Sequence, residues 1–156
     1  MAMALGTLFT VALVKHNAEL AKIESIPNIN LTTIDGEGFC LSENTQCRHT
    51  AILFFSTDCE FCRKEIEGII NARETISGVN WIFVTVSAFD ELDSFMLEYP
   101  LFNIENSKIC IEEYPELHMA LDVSSPPSLF IYDSNGHIEH YKRGAVSINT
   151  ILEWLK

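Results

Sequence analysis

The chain has 156 residues, 47% of them apolar and 21% charged, the balance of one packed domain rather than a disordered tail. Ten Lys and Arg against twenty-two Asp and Glu leave a net charge of −12, with no basic run. That excludes wrapping of nucleic acid, whose affinity comes from neutralised phosphates, and predicts repulsion from anionic membrane surfaces. Five Cys are too few for a disulfide-built scaffold and enough for chemistry.

The chain opens with MAMALGTLFTVALV, uncharged up to Lys15. A helix of that length spans roughly 21 Å, short of the ~30 Å hydrocarbon core, so it is not a complete membrane span. Two readings remain open. One is a targeting or anchor remnant, although a basic leader and a small-x-small cleavage site are both missing. The other is an apolar helix packed on the domain. Residues 15–25 continue as a polar helix that Pro27 ends. Residues 1–25 are therefore an apolar, helical N-terminal segment, and 26–156 the folded domain.

From Ile29 to Ile34 and from Phe39 to Leu41 two short strands flank the turn Asp35-Gly36-Glu37-Gly38, a hairpin. The uninterrupted apolar run Thr50–Phe55 predicts a central strand buried on both faces. A helix follows to about Ser77, with Ile66, Ile69, Ile70 and Ile76 as its buried stripe and Gly78 as its stop. Thr57 with Glu60 forms its capping box, which puts Cys59 in the first turn. Val79–Val86 is a second buried strand. Ser87 is the expected N-cap of a helix over 88–98, with Asp90 at the capping-box position. Lys108–Ile111 reads as a short strand, 116–121 as a helix entered through Pro115, and Ser128–Tyr132 as a strand. Asn135-Gly136 turns into a return strand over 137–142, and Ser147 caps a last helix carrying Ile148, Ile151, Leu152 and Leu155. The order is one α/β domain with a right-handed parallel crossover and helices able to cover both faces of its sheet.

Cys59-Glu60-Phe61-Cys62 stands where the first buried strand passes into a helix. A helix N-terminus offers unpaired N–H groups and partial positive charge to a thiolate. Cys62 lies on the same helical face within disulfide reach. The arrangement assigns attack to the more exposed Cys59 and resolution of the mixed disulfide to Cys62. The alternatives are an inert structural disulfide and half of a zinc site, which would need four ligands where no second C-x-x-C exists.

On these residues the chain resembles the thioredoxin fold, and within it the TlpA/ResA-like thiol-disulfide oxidoreductases of bacterial envelopes. The resemblance covers about Ile26 to Lys156 and rests on three stretches: Pro27-Asn28-Ile29-Asn30-Leu31 before Asp35-Gly36, LFFSTDCEFCRKEI over 53–66, and VSSPPSLFIYDSNG over 123–136. There are departures. Asp58 stands where the family often has Trp, Phe55-Ser56 replaces Phe-Trp, and Ser128 replaces the Thr after the Pro. The resemblance implies a thioredoxin-like fold: a central mixed β-sheet flanked by helices, here with an N-terminal β-hairpin and an extra apolar N-terminal helix. It implies that Pro127 is the cis-proline beside the thiols, able to dock an extended substrate. It also implies that Glu65 assists proton transfer, whereas the residues alone equally allow a surface Glu. Leu53 occupies the strand position where other thioredoxins bury an acid, so Asp58, Glu60 and Glu65 are the nearby carboxylates.

The function expected is reduction of disulfides in exported proteins, on the periplasmic side of a bacterial envelope, with the N-terminal segment as the candidate membrane tether. The partners are a disulfide-containing protein and a thiol electron donor, and no cofactor or metal is expected. Glu60 between the two Cys should tune the pair towards reduction, near −270 mV or somewhat above, since its charge opposes negative charge on Cys59 (roughly −270 mV is the thioredoxin value). A peroxiredoxin-like peroxidase is a second reading, but Ser56 and Ile52 stand where its Thr and Pro would be. A metallochaperone or assembly module is a third, but copper carriers of related fold space their Cys one residue further apart. Cys40 and Cys47 flank a polar loop. A bridge between them would close a ring of about eight residues and stabilise by roughly 2.5 kcal/mol. Cys110 reads as a buried, inert thiol, and His16, His49, His118, His137 and His140 as surface residues without metal spacing.

Overall fold

The computed structural model describes residues 14, 20–45 and 48–156. The rest of the apolar N-terminal run, and with it the choice between anchor remnant and packed helix, lies outside the described residues.

Asn30–Thr32 (β1) and Gly38–Cys40 (β2) form an antiparallel hairpin. Thr50–Phe54 (β3), Asn80–Thr85 (β4), Ser107–Ile111 (β5), Ser128–Tyr132 (β6) and Ile138–Arg143 (β7) form one sheet in the order β5-β4-β3-β6-β7. β3 is parallel to β4, β4 is parallel to β5, and β6 is antiparallel to both β3 and β7. Glu60–Asn71 (α1) and Phe89–Glu98 (α2) make the two parallel crossovers. Glu116–Ala120 (α3) precedes β6, and Ile148–Trp154 (α4) closes the chain.

The strands alternate two cores through the sheet, because successive side chains point to opposite faces. Ala51, Leu53, Trp81, Phe83, Leu129 and Ile131 face α1, α2 and α4. Ile52, Phe54, Ile82, Val84, Phe130 and Tyr132 face α3 and the hairpin, with Ile23, Ile26, Leu31 and Leu41. Every residue of β3 and β6 is buried, which is why both read as unbroken apolar runs rather than alternating ones. At Gly68 the backbone of α1 comes close to α4: a Cβ there would stand 3.2 Å from the Cβ of Ile148. Gly136, at φ +80°, supplies the left-handed residue of the β6–β7 turn.

Three local expectations give way. α1 ends at Asn71, well before Ser77, and residues 72–78 continue as turns that still bury Ile76. Thr57 does not cap α1, because Cys59 itself is the N-cap, just ahead of the first turn. Ser87 does not cap α2, whose N-cap is Ala88 with no side-chain bond. The last two share a cause: Thr57 and Ser87 bond to each other across the sheet edge. Ser147 does cap α4, accepting from the Thr150 N–H at 3.2 Å.

Candidate active site

β3 delivers the chain to the C-terminal edge of the sheet, and after five intervening residues α1 begins. Cys59, half-buried, is extended at φ −84° and ψ 112°, as an N-cap residue must be. Its Sγ takes the place of a capping oxygen and accepts the Cys62 N–H at 3.2 Å. A sulfur so placed is held against the positive end of α1, where negative charge is stabilised. Cys62 is fully buried one turn on. Burial pushes its thiol far up, and the hydrogen bond with Cys59 and the negative charge of Glu65 push the same way. The pair is therefore asymmetric, with one accessible sulfur at the helix end and one protonated thiol beneath it.

The loop before the Cys is held by two contacts that motif reading passed over. The Arg63 guanidinium donates twice to the Thr57 carbonyl, from Nε at 3.0 Å and Nη2 at 2.8 Å. The available signal is the direction of long helical side chains, which lean back over the preceding turn. On the far side, Ser87 Oγ accepts the Thr57 N–H at 3.3 Å, and the hydroxyls of Thr57 and Thr85 lie 3.1 and 3.0 Å from it. These buried groups have each other for partners, as groups cut off from water need. Ser56 donates its hydroxyl to Asp58 rather than towards Cys59.

Before β6, the Pro126–Pro127 peptide is cis. The Pro126 carbonyl lies 4.0 Å from Cys59 Sγ, with Pro126 exposed and Pro127 buried. Cys59, Cys62 and the Pro126–Pro127 loop are thus together at one edge.

Glu65 lies on α1, three residues past Cys62, and is only 5% exposed. Oε2 accepts the Val146 N–H at 3.1 Å, from a segment 81 positions away, while Oε1 is buried without a hydrogen-bond partner. Burial raises its carboxyl to about 7, and the Val146 N–H pulls part of the way back. Glu60, in contrast, is exposed. It pairs with Lys64 at 2.8 Å, whose ammonium holds the carboxyl below its usual range. Its charge next to the thiols is therefore partly offset.

The remaining residues are dispersed. Cys40 Sγ donates to Asn28 Oδ1 at 2.9 Å and meets Ser42 Oγ at 3.2 Å, while Cys47 lies outside the described residues. Cys110 is fully buried in β5, and burial pushes its thiol up to about 12. His118 is not a plain surface residue. It pairs with the buried Glu112, and its ring meets Phe54 edge-on at 4.5 Å. Nor is His140, which is half-buried and stacks on Trp154 at 5.0 Å. His49 pairs with Glu139 at 3.0 Å, His137 is exposed, and His16 lies outside the described residues. Among the described residues, no group of three or more His, Cys, Asp and Glu is placed to hold a metal ion.

Neither a protein-family model nor a curated protein matches the sequence. Solved structures do match. A secreted Mycobacterium tuberculosis disulfide oxidoreductase, homologous to E. coli DsbE, is 17% identical with a TM-score of 0.71, over 82% of this chain and 94% of that one. A thiol:disulfide interchange protein of the thioredoxin family from Chlorobium tepidum is 20% identical with a TM-score of 0.72, over 85% and 93%. An exposed lipoprotein thioredoxin from Streptococcus pneumoniae is 17% identical with a TM-score of 0.65, over 83% and 98%. The chain has the thioredoxin-like fold, with a central mixed sheet, flanking helices and an N-terminal hairpin.

Proposed function

We propose that this thioredoxin-fold protein is a thiol-disulfide oxidoreductase that reduces disulfides of exported proteins through Cys59 and Cys62. The observation that carries the reading is the asymmetric pair. Cys59 Sγ sits at the end of α1, accepting the Cys62 N–H beside the Pro126 carbonyl, and the Cys62 thiol is buried beneath. The solved structures of like fold support it, since two of the three are described as disulfide oxidoreductase or interchange proteins.

In the first step the Cys59 thiolate attacks one sulfur of the substrate disulfide. A mixed disulfide forms, and the other substrate sulfur leaves with the electron pair and takes a proton from solvent. In the second step Cys62 loses its proton and attacks Cys59 Sγ. The Cys59–Cys62 disulfide forms, the substrate leaves as a dithiol, and two electrons have passed to it. A carboxyl raised to about 7 suits Glu65 to take the Cys62 proton and return it on re-reduction by a donor thiol. The Pro127 loop, adjoining Cys59, is where an extended substrate backbone would lie.

An envelope location is the setting that fits, as relatives in fold are a secreted protein and an exposed lipoprotein. No helix among the described residues is long and apolar enough to cross a membrane. The test is turnover of a protein disulfide. Cys59→Ser should abolish it, and Cys62→Ser should accumulate mixed disulfides visible on non-reducing gels. Wild-type turnover by Cys62→Ser would overturn the assignment.

A further inference from the structure

β3, β4 and β5 run parallel, so the segments leaving their C-terminal ends share one edge of the sheet. Cys59 follows β3, Val86 to Asp90 follow β4, and Glu113 to Glu116 follow β5. Four large apolar side chains on these segments are turned to solvent: Phe61 at 66%, Val86 at 59%, Phe89 at 59% and Tyr114 at 75% exposure. Strands spaced about 4.8 Å apart put β5 about 10 Å from β3, the reach of three residues of extended chain. A groove continues the edge beyond Phe89, between Leu31 and Thr32 of the hairpin and Ile111, Glu113 and Tyr114.

The charge along this edge is mostly negative. Asp58, Asp90, Glu91, Glu113 and Glu116 are exposed. Of the bases on the same segments, Lys64 is paired with Glu60, and Arg63, fixed on the Thr57 carbonyl, keeps its charge beside Asp58 and Glu91, so carboxylates outnumber the free cation. A second copy would bring the same acidic rim and a net charge of −12 against it, so self-association is disfavoured. An aromatic floor rimmed by carboxylates is complementary to an extended chain carrying both apolar and cationic side chains.

Resting on the oxidoreductase reading, we infer that the edge from Phe61 to Tyr114 is the docking surface for the disulfide-bearing segment of the partner protein, and that it selects segments in which Lys or Arg flank apolar residues.

The experiment uses two synthetic peptides with one internal disulfide and identical apolar residues, flanked by Lys in one and by Glu in the other. Each rate with the reduced full-length protein is divided by the rate of the same protein on hydroxyethyl disulfide. The Lys peptide should react about tenfold faster than the Glu peptide at low salt, a modest case of electrostatic steering. The advantage should shrink at about 1 M salt, where the screening length is about 3 Å. Combined Asp90→Asn, Glu91→Gln and Glu113→Gln should remove most of it, and Phe89→Ser with Tyr114→Ser should slow both peptides. Combined Glu74→Gln, Glu105→Gln and Glu153→Gln, all exposed and away from this edge, is the control for the same change of net charge. Equal rates for the two peptides, or an advantage that survives the triple variant, overturns the inference. So does an equal loss in the control. Binding of the Lys peptide with its Cys replaced by Ser, followed by titration calorimetry, reads docking without redox chemistry and should weaken about tenfold in the triple variant. If hydroxyethyl disulfide is not reduced, the oxidoreductase reading fails, and this binding measurement still decides the docking surface.

Discussion

Glu65→Gln gives the most direct reading of the buried acid. The folded protein raises this carboxyl from 4.5 to about 7, chiefly through burial. A carboxyl raised by folding favours the protonated form. Its stabilising share is whole below pH 4.5 and is lost as pH rises through 7. Integrating between those two values, the wild type should lose about 2 kcal/mol of unfolding free energy between about pH 5.5 and about pH 8.5 from this group alone. Glutamine keeps a carbonyl oxygen for the Val146 N–H and cannot ionise, so Glu65→Gln should lack that loss. The assay is urea unfolding of both proteins, reduced, at the two pH values. The quantity read is the difference of differences, in which titrating groups not coupled to Glu65 cancel. Parallel pH dependence in the two proteins would refute the reasoning, since it would mean that Glu65 titrates alike folded and unfolded. The same variant should lose the inflection near neutrality in the rate of mixed-disulfide resolution if the carboxyl takes the Cys62 proton.

Other consequences follow from the geometry. Ser87→Ala leaves the Thr57 N–H and two hydroxyls without their shared partner, which should cost about 1–3 kcal/mol by urea unfolding and slow exchange at Cys59. Ile66→Ala, fully buried on α1, should cost about 2–5 kcal/mol by the same measure. Glu60→His should move the redox potential in the oxidising direction, by a shift on the order of 10 mV because the carboxylate is exposed and paired with Lys64. A glutathione titration at low and high salt checks this, and an unchanged potential would remove Glu60 as a tuning residue.

The strands were legible because they are buried on both faces, which leaves a signature that needs no knowledge of neighbours: TAILF and SLFIY can be little else. The Cys pair was legible from its place between such a strand and an amphipathic helix. The caps were not. Thr57 and Ser87 each satisfy a local rule for starting a helix, yet they spend their hydroxyls on one another over 30 positions of chain. The burial of Glu65 was equally hidden, since the Val146 N–H that donates to it comes from the far end of the chain. His118 read as exposed because its partner, Glu112, precedes α3 and is itself buried. For Thr57, Ser87 and Glu65 the deciding contact joins segments that the sequence keeps apart, whereas for His118 it is the burial of a nearby acid.

The Thr57–Ser87 bond also makes a mechanical circuit. The loop that carries Cys59 and the segment leading into α2 are fastened at one buried point, close to where both leave the sheet. A chain docked on Phe89 would therefore bear on the same fastening that positions the loop of the attacking sulfur. Phe89 and Cys59 each stand two residues from that point.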